Sequence, residues 1–385
     1  MNKYLLLAIG LLTLNINSAD ASEIADYVPQ PNSKILNLPA DCLTKALDFL
    51  DPKTRALAMP TSNEFRKVAS DREYWKYNEV RINMVDRTLK IPSYAVNLNF
   101  ENIELDNDKL MIIAPQLPQG LMGLNLSGNK ISHEGIRALW PYLTVNLTCL
   151  NLECNVLDDA SVTELSLHMP PSLTSLNLYC NKIGSPGIIA LAPHLPDGLT
   201  SLNIGHNQMD DTGLAALSPH LKDNLISLNI SGNPITIIGI SSFGPHIPKY
   251  LQSLDIGSNI ISDGGLIVLA PRLPPTLTYI NLFDVDIHDV GVSSLAMHMP
   301  PALKTLILSR NKITDTGAGA LATRFPNTLT RLKLDTNKIE PTGIALLIAH
   351  LPRDSQVLDL AHNFVMPNNL DPPPMPMPAL DFDMD

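Results

Sequence analysis

A row of regularly spaced asparagines is the clearest chemical pattern in the 385-residue sequence. These asparagines recur every 26 residues, with one interruption at Val285, where the spacing calls for another. An asparagine amide both donates and accepts hydrogen bonds, and a buried amide must use them. The members are Asn129, Asn155, Asn181, Asn207, Asn233, Asn259, Asn311, Asn337 and Asn363. This asparagine ladder therefore predicts buried amides that hold backbone turns, a structural role, with a looser or differently bonded turn at Val285.

A second row, of histidines, raises the possibility of a metal-binding stripe, because imidazole is a common metal ligand. The row contains His168, His194, His220, His246, His298 and His350, with Arg272 and Arg324 at the same phase. The two arginines interrupt any set of ligands. Cations near helix C-termini also complement the helix dipole. We favour that explanation, and the sequence predicts no metal and no other cofactor.

One pair of cysteines, Cys154 and Cys180, lies one 26-residue period apart. Neighbouring strands are ~4.8 Å apart, which lies within the Cα range of a disulfide. Either a disulfide or two free thiols fits this spacing. We favour free thiols, because Cys42 and Cys149 show no matching arrangement.

Motifs of the common enzyme classes are missing from the sequence. It has no nucleophile elbow, no HExxH, no CxxC pair and no glycine-rich phosphate loop. The formal net charge is −11, and no basic cluster of the kind that binds nucleic acid is evident. We therefore expect a protein that is not an enzyme and does not bind nucleic acid.

The elements that position the asparagines form a repeated unit. Around Asn181, Leu173, Leu176, Leu178 and Ile183 give the pattern LxxLxLxxNxI, and two further leucines four residues apart follow on one helix face. A fixed period with this core is typical of a leucine-rich repeat solenoid. The predicted fold is α/β, with a parallel β-sheet on the concave face and helices on the convex face. About eleven units are predicted over residues 95–365.

Polar residues at the start of each predicted helix are expected to act as N-caps. These residues are Asp210, Thr236, Ser262 and Thr314. A second row of polar residues, represented by Asn203 and Asn229, lies at the predicted ends of the strands on the concave face. We expect these amides to bond one another along the sheet and not to bind a ligand.

The concave face is predicted to change in character along the array. Its side chains are small and uncharged around Ser201, Ser227 and Ser253, whereas aromatic and charged residues occur further along the chain. Aromatic residues and arginine are enriched where protein partners bind. The predicted ligand-binding residues are Tyr279, Phe283, Asp284, Arg310, Arg331 and Lys333, with Tyr179 in a smaller group beside Glu153 and His206. The alternative is ordinary variation among surface residues.

The two ends of the chain have the composition of segments outside the fold. Residues 1–21 resemble a secretory signal peptide, with Lys3, an apolar run and an A-x-A site that predicts cleavage after Ala21. The alternative is an apolar N-terminus of a cytosolic protein. Residues 22–34 form a polar linker, and the Pro/Asp-rich residues 366–385 are expected to be a disordered tail. No other stretch is predicted to span a membrane.

A helical pattern over residues 35–85 resembles an F-box. The resemblance is carried by Leu38, Pro39, Leu43, Leu47, Leu50, Asp51-Pro52, Phe65, Ala69-Ser70-Asp71 and Trp75. The sequence departs from the family pattern at Phe65, where Trp is usual, at Tyr74, where Leu is common, and around Pro60. F-box proteins often carry leucine-rich repeats, so the two patterns belong together.

This resemblance implies a function. F-box domains dock on the Skp-type adaptor of cullin-based ubiquitin ligases, while the attached repeats hold a protein substrate. Residues at the family's adaptor-contact positions are Leu38, Pro39, Leu43, Leu47 and Trp75. With the signal peptide, this suggests a protein exported by a host-associated bacterium into a eukaryotic cell. The alternative is an exported binding or adhesion protein in which the helical region only caps the solenoid against Leu98 and Phe100.

Overall fold

The computed structural model of this protein describes residues 79–82 and 89–363. Several predicted features lie outside the described residues: the signal peptide, the linker, most of the F-box-like region and the C-terminal segment. The predicted adaptor-binding residues Leu38, Pro39, Leu43, Leu47 and Trp75 also lie outside them.

The described residues form a single parallel sheet of twelve short strands, which follow one another in chain order. The strands are β1 (Glu79–Arg81), β2 (Asn97–Asn99), β3 (Gly123–Asn125), β4 (Cys149–Asn151), β5 (Ser175–Asn177), β6 (Ser201–Asn203), β7 (Ser227–Asn229), β8 (Ser253–Asp255), β9 (Tyr279–Asn281), β10 (Thr305–Ile307), β11 (Arg331–Lys333) and β12 (Val357–Asp359). From β2 onward each residue pairs with the one 26 positions later, as Leu202 does with Leu228. The register of the sheet is therefore the period of the sequence.

Ten α-helices in the described part of the chain connect successive strands from β2 to β12. They are α1 (Asn107–Ile113), α2 (His133–Leu139), α3 (Asp159–Leu167), α4 (Ser185–Leu191), α5 (Asp211–Leu217), α6 (Ile237–Phe243), α7 (Ser262–Leu269), α8 (Asp289–Met297), α9 (Asp315–Ala322) and α10 (Pro341–His350). Adjacent helices pack side by side. The predicted leucine-rich repeat solenoid is confirmed.

The core lies between the sheet and the helices and is built from ladders of aliphatic side chains. In the unit of β5 and α4, Leu173, Leu176, Leu178, Ile183 and Leu191 are all completely buried. Complete burial of such a side chain stabilises the fold by roughly 1.5–3 kcal/mol relative to exposure. Because the same positions are filled in successive units, each unit packs its apolar surface against the next one.

The asparagine ladder bonds backbone groups that the turns leave free. The Nδ2 of Asn207 donates to the carbonyl oxygens of Leu178, Ile204 and Gly205 at 2.9, 3.1 and 3.0 Å. Its Oδ1 accepts from the Ile183 N–H at 3.0 Å. One buried side chain thus joins its own unit to the preceding one, as predicted.

The residue before each ladder position has a left-handed backbone, with φ between 50° and 65°. These residues are Asn102, Gly128, Cys154, Cys180, His206, Gly232, Ser258, Asp284, Arg310, Thr336 and His362. Residues other than glycine seldom adopt this conformation. Here it turns the chain away from the sheet and leaves most of these side chains at the edge where the strands end. We call this row, with the residues two positions further on, the rim.

The interruption at Val285 is bonded differently, as predicted. Val285 is completely buried, and its carbonyl oxygen accepts from the Ser262 N–H at 2.9 Å. Helix α7 begins at Ser262, so the prediction that Ser262 is an N-cap is wrong. Its φ is +57°, the N-cap is Ile261, and no side chain caps this helix. Without an amide at position 285, the chain enters α7 through a backbone hydrogen bond.

The other three predicted N-caps are confirmed. The Asp210 side chain accepts from two backbone N–H groups of α5, those of Thr212 and Gly213. The side chains of Thr236 and Thr314 each accept from one N–H group of their own helix.

A set of caps that the sequence analysis missed connects neighbouring helices. The Oδ1 of Asp211, in α5, accepts from the N–H groups of Thr236 and Gly239 at the start of α6, at 2.7 and 2.9 Å. A Cβ on Gly239 would lie 2.5 Å from that oxygen, so the contact requires glycine. Asp159, Asp263 and Asp289 make the same pair of bonds to the helix that follows each of them.

One unit lacks one of the two kinds of link on each of its sides. Ile237 occupies the position from which an aspartate would cap α7, and it is apolar. Val285 occupies the ladder position that would join the next unit to this one. The unit of β8 and α7 therefore keeps only one kind of side-chain link on each side: Asn259 bonds the unit of β7, and Asp263 caps α8.

At the N-terminal end, the sheet extends further than the sequence predicts. Strand β1 lies within the 35–85 range that was assigned to a helical domain, and it pairs in parallel with β2. Ile82 is buried, while Leu89 and Ile91 pack against the core. This segment therefore contributes to the cover over the first unit.

Candidate functional site

The middle of the concave surface has little to offer a ligand. Its asparagine oxygens are used locally, because Oδ1 of Asn203 accepts from the Gly205 N–H at 3.1 Å. In the next unit, Oδ1 of Asn229 accepts from the N–H and hydroxyl of Ser231. The expectation that these amides bond one another along the sheet is therefore wrong in the middle, where each closes the end of its own strand. Further along the same row, Asn281 does donate to the neighbouring Asp255.

The residues predicted to bind a ligand fall into two rows. Tyr279 begins β9, while Arg331 and Lys333 begin and end β11, and these three side chains lie on the concave face. Strand β10 separates them, which sets the two strands roughly 10 Å apart. Asp284 and Arg310 lie on the rim, with left-handed backbones, and Phe283 directly precedes Asp284. The predicted cluster is thus a strip on the sheet next to a strip on the rim.

Charged side chains pair across neighbouring units on the rim. Arg310 Nε lies 3.9 Å from Asp284 Oδ2, and its guanidinium carbon lies 5.6 Å from the centre of the Phe283 ring. Lys312 and Asp286 pair at 2.5 Å. All four charged side chains are about half exposed. Exposed pairs of this kind contribute only about 0–1 kcal/mol, so they orient charges more than they stabilise the fold.

A groove of about 500 Å³ runs along this part of the rim. It is lined by Ser258, Asn259, Ile260, Asp284, Asp286, Arg310, Asn311, Lys312 and Thr336. The sequence analysis missed Asp286 and Lys312. Their signal was available, because they lie one period apart and two positions beyond the predicted Asp284 and Arg310.

A partly buried carboxylate lies on the concave face beside β9, at the end of β8. Burial raises the pKa of Asp255, and the Asn281 Nδ2 donates to its Oδ2 at 3.1 Å. Partial burial, and then the charge of Asp255, raise the pKa of Tyr279 to about 12. The Tyr279 phenol is therefore neutral at neutral pH and can donate a hydrogen bond.

The smaller predicted group lies apart from this surface. The ring of Tyr179 packs against that of His206, with ring centres 4.9 Å apart, and lies over Gly205. Its pKa is raised to about 12, first by burial. Four strand spacings separate it from Phe283, roughly 19 Å along the sheet. The structure therefore does not bring Tyr179 together with the C-terminal cluster.

Cys154 and Cys180 are free thiols in this structure. Burial, and then the neighbouring Cys180, raise the pKa of Cys154 to about 12. A thiol with so high a pKa is protonated at neutral pH and is a poor nucleophile.

Two histidines of the row, and one of its arginines, make the contacts expected of helix ends. Nδ1 of His298 and of His350 each lie 2.9 Å from the carbonyl oxygen four residues earlier. Arg272 donates to the Val268 carbonyl oxygen in the same way, at 2.5 Å. Residues 79–82 and 89–363 contain no group of three or more metal-ligating side chains that could hold an ion. None of the helices they form is long and apolar enough to cross a membrane.

Comparison with sequence families finds two kinds of domain. The F-box domain family matches residues 35–77. Leucine-rich repeat families match residues 121–139, 145–166, 170–192, 199–218, 224–245, 248–270, 274–296 and 301–322. A search of curated proteins finds no match.

Comparison with solved structures finds many leucine-rich repeat folds. A chain in the crystal structure of the Rad7 and Elc1 complex in yeast is 17% identical, with a TM-score of 0.56, over 86% of this chain and 91% of that one. The repeat protein LegL7 from Legionella pneumophila is 17% identical, with a TM-score of 0.40, over 71% and 97%. At these identities, only the likeness to the yeast chain bears on the fold, and it supports the solenoid. Together with the family matches, the structure shows that this chain combines an F-box domain match with a solenoid of leucine-rich repeats.

Proposed function

We propose that this protein recruits substrates to a cullin-based ubiquitin ligase. The observation that carries the proposal is the presence, in one chain, of an F-box match and a solenoid of leucine-rich repeats. That combination supports a protein-interaction adaptor. The yeast chain of similar fold comes from the crystal structure of a complex, that of Rad7 and Elc1, which is a precedent for a chain of this fold bound to a second protein.

In this proposal the two parts of the chain have separate partners. The F-box region binds a Skp-type adaptor through Leu38, Pro39, Leu43, Leu47 and Trp75. The solenoid binds a protein substrate through the strip on β9–β11 and the adjoining rim. The chain itself catalyses no reaction, because its role is to bring the substrate to the ligase.

The proposal includes export. Residues 1–21 act as a signal peptide, and the mature chain, delivered into a host cell, begins after Ala21. N-terminal sequencing of the exported protein tests this. A mature chain that still begins at Met1 would contradict it.

The test of adaptor binding is a pull-down with a purified Skp-type adaptor. We expect micromolar or tighter binding, and we expect the double variant Leu38→Ala with Pro39→Ala to lose it. The variant should melt at the parent's temperature, since the solenoid is untouched. Failure of the parent to bind would overturn the ligase function, whereas unchanged binding by the variant would overturn the role of these two residues.

A second candidate function is an exported binding protein whose N-terminal region only caps the solenoid. One observation favours it: strand β1 and Ile82 already extend the sheet and core beyond the first full unit. The same pull-down separates the two functions, because a cap has no reason to bind the adaptor.

A further inference from the structure

Positive charge is concentrated near the C-terminal end of the solenoid. The whole chain has a formal net charge of −11, yet residues 304–338 contain seven Lys and Arg and only two Asp. Five of the seven lie on the concave face or the rim, and we call them the basic patch: Arg310, Lys312, Arg331, Lys333 and Lys338. All but the half-buried Lys333 are exposed. Such a contrast with the rest of the molecule favours a ligand of opposite charge.

Much of this charge has no internal partner. Arg310 and Lys312 pair with carboxylates of the preceding unit. Within the described part of the chain, no ion pair within 4.0 Å involves Arg331, Lys333 or Lys338. The side chain of Asp335, which lies between Lys333 and Lys338 in sequence, instead accepts a hydrogen bond from the Ser309 hydroxyl. The patch therefore keeps a positive charge that an external group can neutralise.

Aromatic side chains lie beside the basic patch. Tyr279 and Phe283 are half buried, and Tyr279 is two strands away from Arg331. Two strand spacings are roughly 10 Å, and an extended chain advances about 3.3 Å per residue. A peptide that crosses the strands would thus span the distance from Tyr279 to β11 in about three residues.

We propose that the surface of β9–β11 and its rim bind an acidic, extended segment of a partner protein. An apolar side chain of that segment contacts Tyr279 and Phe283. Carboxylates about three residues further on contact Arg331 and Lys333, where the guanidinium donates to a carboxylate in a charge-assisted pair. The inference rests on the proposed function, for which it names the substrate class, but the surface needs no adaptor in order to bind.

The test uses a fluorescent peptide, Ser-Leu-Gly-Ser-Asp-Glu-Asp-Ser, and the full chain in an anisotropy titration at low ionic strength. A control peptide carries Asn and Gln in place of the acids. We expect the acidic peptide to bind, the control peptide to bind about tenfold or more weakly, and binding of the acidic peptide to fall as salt is added.

Matched variants locate the site. Arg331→Ala with Lys333→Ala should weaken binding about tenfold or more, because both charges contact the peptide. Arg324→Ala is the control, since Arg324 lies just beyond the end of α9, outside the basic patch. Asp284→Asn with Asp286→Asn should strengthen binding, because these carboxylates compete for Arg310 and Lys312.

Four outcomes would overturn the proposal. The first is equal loss from Arg324→Ala, which would indicate non-specific attraction. The second is equal binding of the control peptide. The third is tighter binding after removal of residues 366–385, which would assign the surface to the chain's own acidic end. The fourth is binding only when a serine of the peptide is phosphorylated. The adaptor pull-down is independent of all four, so failure of the proposed function and failure of this inference are distinguishable.

Discussion

The interior of the solenoid and its concave surface follow the same 26-residue period but use it in opposite ways. Inside, Asn207 and its equivalents bond the same backbone groups in unit after unit. Outside, the position filled by Ser227 and Ser253 in the middle is filled by Tyr279 and Arg331 further on. Repetition inside reports what the fold requires, whereas a departure from repetition outside marks where the molecule differs from a plain scaffold.

The largest expected effect separates two asparagines of one turn. Asn207→Ala leaves the buried Ile183 N–H without its acceptor, and a buried unsatisfied group costs about 1–3 kcal/mol. It also removes one of two hydrogen bonds from each of three carbonyl oxygens, which keep bonds from the side chains of Asn181 and Asn233 and the Cys180 N–H. Asn203→Ala removes one acceptor on an open face and should cost about 1 kcal/mol. Urea unfolding of the two variants measures the difference. Equal shifts in midpoint would contradict the distinction between interior and surface.

A smaller effect is expected from glycines on the convex side. Gly239→Ala places a Cβ 2.5 Å from Asp211 Oδ1, so the cap between α5 and α6 must open, at about 1–3 kcal/mol. Gly264→Ala meets only the flexible end of Ile237 and gains the better helix propensity of alanine, about 1 kcal/mol. We expect loss of stability in the first and little change or a gain in the second. Matching losses in thermal melts would show that Asp211 is not the cause.

Two carboxylates should respond to pH in opposite directions. The Ser185 hydroxyl and then Thr212 lower the pKa of Asp210 to about 2, from an ordinary value of 3.8. Its contribution to stability is therefore present above about pH 4 and disappears as the pH falls toward 2. Burial raises the pKa of Asp255 above its ordinary value. The folded protein therefore loses stability as the pH rises through this raised pKa and the carboxyl group ionises.

Asn variants measured across pH isolate these contributions. The advantage of the parent over Asp210→Asn should shrink as the pH falls from 4 to 2. The parent should instead gain on Asp255→Asn as the pH falls from 7 toward 3. Parallel pH profiles for the two variants would rule out the opposite environments described for the convex and concave sides.

The smallest effect on stability is expected in the basic patch. Arg331→Ala with Lys333→Ala should leave the free energy of unfolding within about 0.5 kcal/mol of that of the parent. Neither side chain forms an ion pair with another described residue. Differential scanning calorimetry at moderate salt measures this. A loss of several degrees in Tm would mean that these charges serve the fold.

Much of the fold could be predicted because the relevant information repeats. The spacing of Asn181 and Asn207 sets the register of the sheet, and even the altered bonding at Val285 follows from one missing amide. Each such feature depends on residues whose separation along the chain is constant.

What could not be predicted depends on distances between units. The cap from Asp211 to Thr236 requires knowing how closely successive helices approach. The alternation of side chains along a strand predicts that Arg310 lies on the concave face. It lies on the rim instead, because its backbone adopts a left-handed conformation that most residues disfavour. The division of the predicted cluster into a strip on the sheet and a strip on the rim was not predicted.

The two missing links of the unit of β8 and α7 also have a mechanical consequence. In a solenoid the units are stacked in one direction, and each unit contacts only the unit before it and the unit after it. With Ile237 and Val285 in place of two linking side chains, this unit has one link fewer on each side than the neighbouring interfaces and should bend more easily than the two arms that flank it. One arm carries Tyr179, the other the basic patch. Amide hydrogens of α7 should exchange faster than those of α5 or α9, and a partner that touches both arms would set the angle between them.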